Sequence, residues 1–383
     1  MSAAAFRYRG IHFAGVFLIA ALFIGSLLTS ACLAEEAWSA LLDRADLGRL
    51  QEWAGAEAGF DVRGFAKSLL TGEAALDMHS AEELLDRLLR STRARMLALA
   101  GNLTLPLALE LVLRLLFGDG GAARAPGLLC VVCVAATLSG LYMESSRIAA
   151  ALIASLSEAS GCLAPVLTAC AVLSGAPAAS GIATPLATLC ADVIQNWFAG
   201  WGVRLCAVAA AVALSDGLAG GRRLDRLFRF VRSAQHWLLT GAMLAFSGLM
   251  SVQGVLCQTG DSVAARAAQN AIESAVPVIG GELSDILGTL TVSAGAIRGA
   301  VGVTGLAALA RVCLGPLARV LAASVSVKLA AAIVEPVAGR EPARLFARFG
   351  EVLDMLLAVC TASAVLVALL FGGGFALIGS IAG

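Results

Sequence analysis

The sequence predicts an all-α, polytopic transmembrane protein with an N-terminal signal peptide and an extracytoplasmic amphipathic helical segment. Three observations predict it. Of 383 residues, 59% are hydrophobic and only 14% charged, whereas globular chains carry about 25% charged residues, so the charge cannot coat a water-soluble surface of this size. The mean hydropathy is +0.87, and the chain contains a series of apolar runs of bilayer-spanning length. Basic, apolar and small residues follow one another at the N terminus in the order of a secretory signal. This composition excludes a soluble enzyme. A net charge of zero gives no global pull toward nucleic acid or acidic substrates, so any electrostatic role falls to local clusters.

Residues 1–34 supply the signal: Arg7 and Arg9, an apolar run over 11–28, then Thr29-Ser30-Ala31-Cys32-Leu33-Ala34 before Glu35. Cleavage is expected after Ala34. A run of this length can also span a bilayer, so an uncleaved signal anchor stays open. Either way residues 35–95 lie outside the cytoplasm. That region holds twelve acidic residues against eight basic ones, which gives it an acidic character. It reads as amphipathic helices, with Trp38, Leu41 and Leu42, then Leu47 and Leu50, then Leu84, Leu85, Leu88 and Leu89 at helical spacing. Ser80 and Glu83 form a capping box at the start of the last one.

Residues 96–218 read as a first transmembrane group. Spans are expected over 96–117, kinked at Pro106, over 126–143, and over 148–173. Pro177 and Pro185 bracket a break, followed by a helix over 186–196 and a span over 201–218. Residues 219–236 form a basic amphipathic helix in which Arg222, Arg223, Arg226, Arg229 and Arg232 surround the stripe Leu224, Leu227, Phe228 and Val231. The positive-inside rule places it in the cytoplasm, facing a bilayer surface or a partner helix. Residues 237–383 are a second transmembrane group, with a span over 237–256 and an extracytoplasmic segment near 257–285. The stretch 286–334 fits either two spans or one span with a re-entrant pair. Arg340, Arg344 and Arg348 mark a cytoplasmic loop before a last span over 352–370.

Eight of the ten cysteines sit in apolar runs and read as small packing residues; Cys130-Val-Val-Cys133 has metal spacing but no His or carboxylate beside it. No nucleophile elbow, zinc-protease or nucleotide motif is present, and the three histidines form no cluster. Gly299, Gly302 and Gly305 make a smooth helix face for helix contact. No catalytic, cofactor or metal residues are therefore expected. Charges inside spans are costly unless paired or wet, which singles out Glu110 with Arg114 at i, i+4, Glu158, Asp192, Arg204, and the row Arg298, Arg311, Arg319 and Lys328. These are candidate conduit or interface residues. Snorkelling toward headgroups explains the row equally well. The five arginines of 222–232 are candidate contacts for a cytoplasmic partner or lipid.

Ser251-Val-Gln-Gly254, Ala275-Val-Pro-Val-Ile-Gly280 and Lys328-Leu-Ala-Ala-Ala-Ile-Val-Glu-Pro336 occur in this order. With the signal, the acidic external segment and the span order, they resemble the stage III sporulation protein AE family of endospore-forming bacteria. The resemblance implies a non-enzymatic, multi-pass protein of the mother-cell membrane facing the forespore. It would be an oligomeric subunit of a secretion-like channel complex, without cofactor or nucleic-acid partner. Implied partners are membrane lipid, the other stage III sporulation A-operon proteins, and stage II sporulation protein Q from the forespore side. The alternative is a stand-alone secondary transporter with a substrate site at broken helices near Pro177, Pro185 and Gly281.

Overall fold

The computed structural model describes residues 48–71, 124–173, 192–218, 224–248, 280–338 and 340–379, with isolated positions 90, 93, 94, 97, 101 and 189. Every element among them is helical. The signal peptide, the span over 96–117, the break at Pro177 and Pro185, and the segment 257–279 lie outside the described residues. The helices are α1 (Gly48–Ala58), α2 (Val62–Thr71), α3 (Arg124–Leu173), a π-helical segment (Val193–Gly202) leading into α4 (Val203–Leu218), α5 (225–248), α6 (Gly280–Ala338) and α7 (Arg340–Gly379).

Among the described residues, four stretches are long and apolar enough to cross a membrane: Val131–Ala169, Asn196–Leu218, Ala300–Glu335 and Pro342–Gly372. The chain is a multi-pass membrane protein built on them. Several boundaries differ from the sequence expectation. The expected spans over 126–143 and 148–173 form one 50-residue helix, α3. Among its buried positions, Val131, Ala135, Leu138, Tyr142, Ser145, Ala149, Leu152, Leu156, Ala159, Leu163 and Val166 form one seam. They alternate steps of four and three residues without interruption, as in a coiled-coil seam. Glu144-Ser-Ser-Arg147 lowers the hydropathy there but contains neither Pro nor Gly, and Ser146 returns its hydroxyl to the Met143 carbonyl at 3.1 Å. Polarity alone does not break backbone hydrogen bonding.

The expected interruption between 196 and 201 is likewise absent. The chain passes it as a π-helix, closed by the Val203 N–H donating to the Phe198 carbonyl five residues back. The basic helix and the following span also fuse: 225–248 is one helix. The stretch over 286–334 falls within the 59-residue α6. The expected loop at Arg340, Arg344 and Arg348 is the first part of α7, separated from α6 by Gly339 alone.

Helices α6 and α7 form an antiparallel hairpin, and their contact is the most extensive in the molecule. Its register is fixed at three levels: Lys328 lies over Gly350, Ser324 bonds Asp354, and Gly305 lies under Phe371. A Cβ at Gly350 would approach Lys328 Cγ to 2.9 Å, and one at Gly305 would lie 2.2 Å from Phe371 Cε1. Both glycines admit close helix approach, and Gly305 meets the expectation set by the glycine row. Helix α7 is central. It packs against α3, α4, α6 and the π-helical segment, and its seam of Phe346, Phe349, Leu353, Leu356, Cys360, Ser363, Val367 and Leu370 is wholly buried.

Helices α1 and α2 dock on α3 and α6. Gly59 (φ 61°) ends α1 in the left-handed region, with its N–H on the Gly55 carbonyl at 3.0 Å. Asp61 caps α2 through the Gly64 N–H at 3.1 Å. Gln51 Oε1 accepts from the N–H groups of Val62 and Arg63 at 2.8 and 3.2 Å, so α1 satisfies two of the first donors of α2. Trp53 anchors the pair by donating its indole N–H to the Ser155 carbonyl of α3 at 3.1 Å.

Gly305→Val is expected to push Phe371 out of its seat and destabilise the purified protein by about 1–3 kcal/mol, the usual cost of overpacking. Gly315→Ala, where a Cβ meets open space, is expected to be neutral or stabilising. Thermal unfolding in detergent distinguishes the two, and Phe371→Ala is expected to recover part of the Gly305→Val loss.

Candidate functional site

The C-terminal ends of α4 and α6 and the N-terminal ends of α5 and α7 lie at one end of the bundle, and the charges there converge on α7. Arg348, Glu351 and Asp354 follow at three-residue steps on that helix, so they project toward neighbouring helices on adjoining faces. Arg348 is the hub. Its Nη2 lies 3.3 Å from Asp216 Oδ2 of α4 and also pairs with Asp225 Oδ1 of α5. Its guanidinium carbon sits 5.2 Å from the centroid of the Phe228 ring. Asp216 is buried, and its second oxygen accepts the Leu224 N–H at 3.1 Å, tying the carboxylate to the entry of α5. Asp225 is shared, pairing with Arg229 at 3.2 Å as well.

Further along α7, Glu351 pairs with Arg232 at 2.5 Å. Asp354 accepts from Lys328 Nζ at 2.6 and 2.7 Å and from the Ser324 hydroxyl at 2.5 Å. One step deeper, the buried Gln235 amide donates to the Met355 carbonyl at 2.9 Å and to Cys206 Sγ at 3.3 Å. Four carboxylates thus face four cations, each on a different helix from its main partner except in the Asp225–Arg229 pair. The arrangement holds charge without acid–base asymmetry. Its capacity is to clamp α4, α5 and α6 onto α7.

The candidate residues divide accordingly. Glu110, Arg114, Arg222 and Arg223 lie outside the described residues, and Arg298 lies on α6 where no side chain is described. Asp192 is exposed just before the π-helical segment and makes no side-chain cap bond. Arg204, Arg311 and Arg319 are exposed and are not brought together; Lys328 is exposed but held by Asp354. Glu158 borders a shallow groove with Arg49, Glu52 and Glu57 of α1. Among the five arginines, Arg232 is engaged by Glu351 and Arg229 by Asp225, whereas Arg226 is exposed. The stripe expected to meet a surface or partner helix is split: Phe228 and Val231 are buried in the bundle, while Leu227 is exposed.

Sequence reasoning missed Asp216, Gln235, Glu351 and Asp354, and took Arg348 only as a loop charge. The spacing of 348, 351 and 354 on one helix was the available signal. Among the described residues no three His, Cys, Asp or Glu side chains converge to hold a metal. Cys133, Cys162, Cys206, Cys313 and Cys360 are free thiols, the last three buried as packing residues.

Arg348→Gln is expected to strip the buried Asp216 of its cation and cost about 3 kcal/mol, as for a broken buried pair. Lys328→Met, at a pair in which both side chains are nearly half exposed, is expected to cost less than ~1 kcal/mol. Denaturant unfolding in detergent measures both, and equal losses would contradict the assignment of Arg348 as the hub.

The chain matches the family described as "Stage III sporulation protein AE" over residues 60–372. The curated Stage III sporulation protein AE of Bacillus subtilis (strain 168) is 26% identical over 135 residues, which are 35% of this chain and 34% of that relative. The alignment therefore spans about a third of the curated relative's length. No solved structure matches.

Proposed function

From the premise that this chain belongs to the stage III sporulation protein AE family, we propose that it is a membrane-embedded subunit of a multi-protein channel between mother cell and forespore. A role in sporulation and a multi-pass membrane location follow from the family and from the four apolar helices. The finer reading is that the protein sits in the mother-cell membrane facing the forespore and acts without catalysing a reaction. It assembles there with the other stage III sporulation A-operon proteins and with stage II sporulation protein Q.

The observation that carries this reading is the extent of the family match. It begins at Phe60, in the joint between α1 and α2, and ends at Gly372, where the apolar stretch of α7 also ends. The match thus takes in the described helices from α2 to the apolar stretch of α7. A bundle clamped by balanced ion pairs suits a scaffold that keeps its shape under load from neighbours. The α1–α2 pair, anchored by Trp53, offers a platform on that scaffold for extracytoplasmic partners.

Deletion of the gene in its endospore-forming host is expected to abolish late forespore reporter expression, and the intact chain supplied in trans is expected to restore it. Affinity purification from sporulating cells is expected to recover the other operon products in a large assembly. A monomer that carries out solute-coupled uptake in proteoliposomes, with no recovered partners, would overturn the channel-subunit reading in favour of the transporter.

A further inference from the structure

We propose that the outer face of α5 is a binding site for an anionic phospholipid, with its phosphate on Arg226 and Arg229 and an acyl chain along Phe230 and Trp237. The inference goes beyond the channel proposal and does not depend on it.

The face is defined by helical geometry. At 100° per residue, Arg226, Phe230, Trp237 and Leu244 fall within about 40° of one another. Phe228, Val231, Gln235, Ala242 and Phe246 point the opposite way, and all of these are buried. The outward side chains are bare: Phe230 is 69% exposed, Trp237 76% and Leu244 68%. Arg229, beside Arg226, is 69% exposed despite its bond to Asp225.

The order along the face matches one leaflet. Arg348 joins Asp216 and Asp225, Gly217 lies against Leu345, and Gly339 alone separates α6 from α7. These contacts bring the ends of three apolar stretches, Leu218, Glu335 and Pro342, to nearly one level. Arg226 lies within about two helical turns of that level, which a guanidinium on a flexible stem reaches by snorkelling. From there Phe230 lies ~6 Å further along the axis and Trp237 ~16 Å, both within the depth of one leaflet, whereas Leu244 at ~27 Å lies beyond the bilayer midplane. A cation at phosphate level followed by exposed apolar rings is the order in which a phospholipid presents its charge and its chain.

Charge decides the class of lipid. Asp216, Asp225, Glu351 and Asp354 are occupied by Arg348, Arg232, Arg229 and Lys328, which leaves Arg226 as the cation of this face with no ion-pair partner among the described residues. An anionic headgroup supplies the missing countercharge, and a zwitterionic one carries its own ammonium.

The test uses the full chain in detergent, titrated with phosphatidylglycerol or phosphatidylcholine of matched chains and read by native mass spectrometry. Phosphatidylglycerol is expected to be retained preferentially. Arg226→Gln is expected to weaken that retention roughly fivefold, the value of one basic residue near a membrane surface, while Arg226→Lys keeps most of it. Arg49→Gln, an exposed arginine on α1 outside the apolar stretches, is expected to leave it unchanged. Arg226 is exposed and has no ion-pair partner among the described residues, so its variants are expected to fold, and circular dichroism checks this. Equal retention of the two lipids, or a preference unaffected by Arg226→Gln, overturns the proposal. Loss of a co-purifying protein in Arg226→Gln with lipid retention unchanged also overturns it and assigns the face to a protein contact.

Discussion

A nearly buried carboxylate, Asp216, sits at the end of an apolar helix and must be matched by a cation or cost several kcal/mol. Arg348 is that cation. Because it also reaches Asp225 and stacks on Phe228, one guanidinium decides how the α4–α5 turn is seated on α7. Arg232–Glu351 and Gln235–Met355 extend the same attachment, and Lys328–Asp354 adds α6. The outer pairs are half exposed and contribute little individually. Their value is register: each permits one alignment of two long helices that are otherwise smooth and apolar.

The remainder of the bundle is held by shape. Without a hydrophobic effect between helices in lipid, contact rests on close approach and packing. Small residues supply it, as Gly305 under Phe371, Gly350 under Lys328 and Gly202 against Val359 demonstrate. The seams of α3 and α7 alternate three- and four-residue steps, the pattern that keeps one face toward a neighbour over a long helix. Ion pairs at one end and small-residue contacts along the length together make a scaffold with little freedom to slide.

The elements most legible in the sequence were those set by local chemistry. Helical class, membrane residence and the basic character of α5 follow from hydropathy and charge order. The last span expected over 352–370 lies within the apolar stretch of α7, and the cysteines expected to be packing residues at 206, 313 and 360 are buried. Boundaries were less legible. Glu144-Ser-Ser-Arg147 and the polar run near Asn196 lower hydropathy, yet both are crossed by continuous helix, because a polar side chain on a helix leaves the backbone ladder intact. The seam over Val131 to Val166 carried the better signal, since its spacing passes through the polar patch without a shift.

The candidate site shows the same division. The arginine-rich segment could be singled out from its composition alone, but not which of its members would be held in ion pairs. Arg232 meets Glu351 across 119 residues of chain and Arg348 meets Asp225 across 123, and no local pattern encodes a pairing over that distance. The sequence by itself determined that this is a helical membrane protein with a basic segment over 222–232, because partition and charge depend on residues summed over one segment. Only the tertiary structure decided that α7 is the centre, that Arg348 is its clamp and that Arg226 is left facing outward. Those depend on which helices lie side by side, and packing settles that across the whole chain.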